Sequence, residues 1–85
     1  MEYLIVVFRS RSHTVKFHSF LEKNGIFSQI INTPKELGVG CGLSVKVNTE
    51  QLQIMKKAIK IANLSSFIGI FKVKKTGGSI ITRSI

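Results

Sequence analysis

Leu43-Ser44-Val45-Lys46-Val47-Asn48-Thr49-Glu50-Gln51-Leu52-Gln53-Ile54-Met55 changes its hydrophobic period in the middle. Leu43, Val45 and Val47 alternate with Ser44 and Lys46, the pattern of a strand with one wet face. Asn48 or Thr49 then stands where a helix cap is needed. Beyond it Leu52, Met55, Ile59 and Ala62 mark one side of a helix, with Lys56, Lys57 and Lys60 towards solvent. Ile54 and Ile61 lie off that stripe and either widen it or mark an association surface.

Working outward, an equivalent strand–helix unit opens the chain. Tyr3 to Phe8 is a continuous apolar run rich in β-branched residues, which predicts a central strand buried on both faces. Ser12 is read as the N-cap of a helix running to about Asn24, with Gly25 ending it. Thr14, Phe17 and Leu21 share one face of that helix, with Phe20 on its flank. Ile26 to Asn32 is expected to form a second strand. Pro34 lacks an N–H and stops regular structure after it. Phe67 to Val73 alternates as a last strand, with Phe67 and Phe71 read as core, and Gly77-Gly78 breaks it.

The order is β-α-β-β-α-β, the split βαβ pattern of ferredoxin-like α+β sandwiches. This predicts an antiparallel sheet with both helices on one face and the other face left open. The domain is expected to span residues 1–76, with 77–85 a C-terminal tail or a short extra edge strand. The fold hosts many activities and does not decide among them.

Length and composition narrow the field. Eighty-five residues make one small domain, and a hydrophobic fraction of 44% with 20% charged residues is that of a folded chain. The lone cysteine cannot form an internal disulfide, and no cluster of ligand-type residues points to a metal. His13 and His18 are not spaced i, i+4 and are read as partly exposed helix residues. No apolar run approaches the ~20 residues that span a bilayer, and the positive charge follows the N-terminal apolar run instead of preceding it. A cytoplasmic protein without a membrane partner is the expectation. Thirteen Lys and Arg against four acids give a net charge of +9. Such a field attracts nucleic acid, anionic membrane surfaces or an acidic protein, or simply solvates the surface.

The loop from Lys35 to Gly42 holds the most distinctive chemistry. Cys41 lies in Gly38-Val39-Gly40-Cys41-Gly42-Leu43-Ser44. Gly38, Gly40 and Gly42 permit turns that converge backbone N–H groups, and those amides would favour a thiolate. The alternative is a small buried apolar residue, the commoner fate of a free cysteine. Lys35 and Lys46 bracket the sulfur and would attract an anionic partner if they approach it. Ser44 could hydrogen-bond there, or be an ordinary strand residue. The loop is not a dinucleotide fingerprint, because Leu43 holds the last glycine's place and a strand follows. It also lacks the Lys-Ser/Thr pair of a phosphate loop. No paired-carboxylate or Ser-His-Asp arrangement stands out, although a cysteine and a histidine can meet in space.

Thr33-Pro34-Lys35-Glu36-Leu37, followed by Cys41-Gly42-Leu43-Ser44-Val45, resembles the selenium/sulfur carrier protein-like family of small bacterial proteins. Thr33, Pro34, Glu36, Cys41, Gly42 and Leu43 match the family's pattern, and Lys35 stands where an arginine is common. The Gly38-Val39-Gly40 approach is more glycine-rich than that pattern. The resemblance runs from the opening strand to the second helix. It implies a carrier that holds sulfur as a persulfide, or selenium as its analogue, on Cys41. Thr33, Pro34 and the three loop glycines would shape the loop, and Lys35, Glu36, Ser44 and Lys46 would tune the thiol or dock partners. It further implies a cysteine desulfurase-type donor and a protein acceptor, with no bound cofactor and no self-contained enzyme. A homodimer is compatible with it, and a basic binding module is the alternative.

Overall fold

The computed structural model describes residues 1–85. Its elements are β1 (Glu2–Phe8), α1 (Arg11–Lys23), β2 (Gln29–Asn32), β3 (Leu43–Val47), a 3-10 turn (Thr49–Gln51), α2 (Leu52–Ala62), β4 (Phe67–Thr76) and β5 (Ser79–Ser84). The strands form one five-stranded sheet in the order β2-β3-β1-β4-β5. Every neighbouring pair is antiparallel. β1 and β2 therefore run the same way with β3 between them, which is the split βαβ arrangement of a ferredoxin-like α+β sandwich.

β1 is buried from Tyr3 to Phe8 and serves both faces. Leu4, Val6 and Phe8 pack under the helices with Phe17, Leu21, Val45, Met55 and Ala58. Tyr3, Ile5 and Val7 point to the other side and cluster with Val73, flanked by Ile31, Leu37 and Phe71. Burying each of these β1 side chains contributes about 1.5–3 kcal/mol. No helix is long and apolar enough to cross a membrane.

Several local expectations shift, each for a visible reason. Ser10, not Ser12, caps α1: its Oγ accepts from the His13 N–H at 3.3 Å. The chain is pinned early because Arg9 N–H donates to the Ser66 carbonyl and Ser10 N–H to the Ser66 hydroxyl. β2 begins at Gln29, later than Ile26. Gly25, at φ +73°, and Ile26 are used instead to close α1, donating to the carbonyls of Glu22 and Leu21; this is the Schellman arrangement. Asn48 precedes a 3-10 turn without a side-chain cap, and Asn63 ends α2 in the left-handed region. Ala58 lies in the buried stripe of α2 with Met55, while Leu52, Ile59 and Ala62 are only half-buried. A bulge opposite Val7 and Phe8 alters the register of β4, so Phe67 packs its ring edge-on to Phe8 yet remains exposed.

The face without helices is not open. Loop 33–42 folds across its end, Leu37 packing into the cluster beneath. Ser44, expected on a wet face, is fully buried there and its hydroxyl lies 2.6 Å from that of Thr33. Lys46 lays its ammonium 4.6 Å from the centroid of the Tyr3 ring, a cation–π contact. Gly40 makes the closest approach: at φ +92°, a Cβ there would meet Val7 Cγ1 at 2.7 Å. Gly42 has a similar φ of +90° but faces open space. Gly42→Ala should therefore cost about 1–2 kcal/mol from backbone strain alone. Gly40→Ala adds an overpacking penalty of about 1–3 kcal/mol. Denaturant unfolding of both variants checks the difference, and equal losses would show that the Val7 contact does not constrain the loop.

Candidate functional site around Cys41

Cys41 is placed by the end of β1. Its N–H donates to the Phe8 carbonyl at 3.3 Å, so the last residue of the central strand holds the cysteine's backbone. On the other side of the loop base, Thr33 N–H donates to the Gly42 carbonyl at 2.9 Å. With the Thr33–Ser44 hydroxyl contact, this closes the loop against β3. Thr33, Gly40, Gly42 and Ser44 are therefore parts of the loop's anchorage. Pro34 accepts at its carbonyl from Leu37 N–H at 3.1 Å, forming the turn that drives Leu37 inward. Gly38 adopts φ +67° and lies in open space.

The sulfur turns away from that loop surface and towards α1. Sγ lies 3.5 Å from the Thr14 hydroxyl and 3.5 Å from the Leu43 carbonyl. Cys41 itself is half-buried. Thr14 is fully buried in the first turns of α1, close to the positive end of the helix dipole. Its hydroxyl also reaches the Ser10 carbonyl at 3.3 Å. A hydroxyl has one proton to give. With a neutral thiol, Thr14 can donate to Ser10 and accept from sulfur. With a thiolate it can turn its proton to sulfur, because the Ser10 carbonyl retains the Thr14 backbone N–H at 3.1 Å. The Leu43 carbonyl can accept from a thiol only. Thr14 thus serves either protonation state, a role that its place in an apolar helical stripe concealed.

The residues named from sequence are only partly brought together. Lys35 and Glu36 are exposed on the loop, and neither hydrogen-bonds to the sulfur. Lys35 borders a shallow depression of about 190 Å³ formed with Thr33, Pro34 and the glycines, on the loop surface away from Sγ. Lys46 is engaged with Tyr3 and Ser44 with Thr33. No group of three or more metal-ligating side chains is present.

Two serine–histidine contacts emerge that spacing did not reveal. His13 Nδ1 lies 2.6 Å from the Ser66 hydroxyl, tying the start of α1 to the α2–β4 connection. His18 Nδ1 lies 2.6 Å from the Ser28 hydroxyl while its Nε2 faces Glu22 at 3.1 Å. The second has the composition of a catalytic triad, but Ser28 is buried and borders none of the cavities. It acts as a brace between α1 and the approach to β2.

No curated protein and no solved structure matches the chain. A family profile described as "Putative Se/S carrier protein-like" matches residues 3–66. That segment includes β1 from Tyr3 onward, α1, the anchored loop, Cys41 and α2, so on this match the chain belongs to the Se/S carrier protein-like family.

Proposed function

We propose that the protein is a sulfur or selenium carrier in which Cys41 holds the cargo atom as a persulfide or its selenium analogue. The observation that carries this reading is the match to the carrier-like family across a segment whose lone cysteine sits on an anchored loop. The Cys41 thiolate attacks the terminal sulfur of a donor persulfide. A bond forms between Sγ and that sulfur, the donor's S–S bond breaks, and the donor leaves as a thiolate. The sulfur transferred is already at the oxidation level of a persulfide, so no external oxidant or reductant enters. An acceptor nucleophile then takes the terminal sulfur and returns Cys41 to a thiolate. The donor is a cysteine desulfurase-type enzyme and the acceptor a second protein, in the reducing cytoplasm.

The surroundings support such exchange. Cys41 is half-buried on a loop, and exchange with two partners in turn requires each to reach its sulfur. Thr14 orients Sγ and has a proton for it in the charged state. Lys35, on the loop surface away from Sγ, contributes only to the positive field that draws an acidic partner.

Incubation with a cysteine desulfurase and cysteine should raise the intact mass by one sulfur atom in the wild type and not in Cys41→Ser. A wild type that stays unmodified across several donors, or a Cys41→Ser protein that gains the same mass, overturns the reading. Thr14→Val preserves side-chain volume and removes the hydroxyl. It should slow adduct formation about fivefold, as expected for losing one hydrogen bond of about 1 kcal/mol, while circular dichroism shows the fold retained. An unchanged rate would show that the Thr14 contact does not assist transfer.

A further inference from the structure

Between α2 and the C-terminal hairpin runs a groove of about 380 Å³. Ile59, Phe67, Ile70 and Ile85 give it an apolar lining, and Lys56 and Lys60 stand along its helical side. These lysines are exposed and one helical turn apart. Further along the same strands, a second depression of about 280 Å³ is bordered by Lys72, Lys74 and Arg83, with Glu2 as its one acid. Lys72 and Arg83 are direct cross-strand partners, an arrangement of like charges that destabilises a sheet unless something anionic offsets it. Glu2 offers one carboxylate, 3.2 Å from Lys72. The hydrogen bond and charge of Lys72 hold that carboxyl below its ordinary range. The other cations of this surface form no ion pair.

We infer that this groove docks an acidic protein segment bearing aliphatic anchors. The anchors would cover Ile59 and the exposed Phe67 and Ile85, while flanking carboxylates meet Lys56, Lys60, Lys72 and Arg83. This combination of apolar groove and cationic margin is the complement of an amphipathic acidic peptide. A nucleic acid would neutralise the cations but leave the aliphatic lining uncovered. It would also find a single aromatic ring in the groove, Phe67, where strand binding uses a series of them. The strand side of the groove, from Phe67 onward, lies outside the segment matched to the family. Phe8 links the two regions: Phe67 is its strand partner, and its carbonyl holds Cys41 N–H. A partner in the groove would therefore lie at the end of the sheet that carries the cysteine. The inference stands whether or not Cys41 carries sulfur, since docking is measured without transfer.

Fluorescence anisotropy at low salt, with a labelled peptide of glutamates interspersed with leucines, tests it. Saturable binding is expected, weakened about tenfold or more by Lys56→Glu with Lys60→Glu and by Ile85→Asp. The pair Lys16→Glu and Lys23→Glu on α1 makes the same change in net charge and should have little effect. A peptide with serines in place of leucines should bind about tenfold more weakly. Circular dichroism checks folding, and Lys56→Gln with Lys60→Gln replaces the charge reversal if that variant unfolds. Absence of peptide binding overturns the proposal, as does equal weakening by the α1 pair. A single-stranded oligonucleotide that binds as tightly as the peptide would assign the surface to nucleic acid instead.

Discussion

Burial of β1 on both faces is the constraint on which this small molecule depends. In a domain of this size one helix-backed core would leave little margin, since small domains bury a limited share of their surface. The chain uses each side of one strand: Leu4, Val6 and Phe8 under the helices, Tyr3, Ile5 and Val7 on the reverse. The reverse cluster has no helical layer above it. It is covered by side chains of the sheet itself and by Leu37 of the loop. The loop that carries the cysteine is thus also a structural cover.

That dual use explains the geometry of Cys41. Inward packing of Leu37, the close approach of Gly40 to Val7 and the hydrogen bond from Cys41 N–H to Phe8 fix the loop over the end of β1. The sulfur then lies on the helix side, beside the buried Thr14. Loop surface and sulfur face different directions, so the lysines near Cys41 in sequence are not its hydrogen-bond partners. A carrier needs a sulfur held in place and approachable, without the acid/base machinery of a complete enzyme. The anchored loop holds Cys41 with backbone contacts and places one hydroxyl beside its sulfur.

Much of the fold was legible because hydrophobic periodicity is a local signal. The alternation of Leu43, Val45 and Val47, the helical stripe through Phe17 and Leu21, and the unbroken Tyr3–Phe8 run each point to their observed element. The errors fell where local patterns met tertiary demands. Ser10 displaced Ser12 as cap because Ser66, far along the chain, holds the turn. Ser44 was buried because a distant part of the loop covers its face. Phe67 lies outside the core at a bulge in the pairing of β4 with β1. For the site, the sequence singled out Cys41 and its glycines, but Thr14 was hidden within an ordinary amphipathic pattern.

Sequence alone determined the order of elements, the family motif and the charge excess, because each is written in neighbouring residues or in composition. Only tertiary structure decided that Cys41 faces Thr14 instead of Lys35 or Ser44, that His18 bridges Ser28 and Glu22, and that dispersed lysines border an apolar groove. Those relations depend on which strands pair and how a glycine-rich loop crosses their ends. Periodicity can indicate which face a residue occupies, but it cannot tell what distant segment will meet that face.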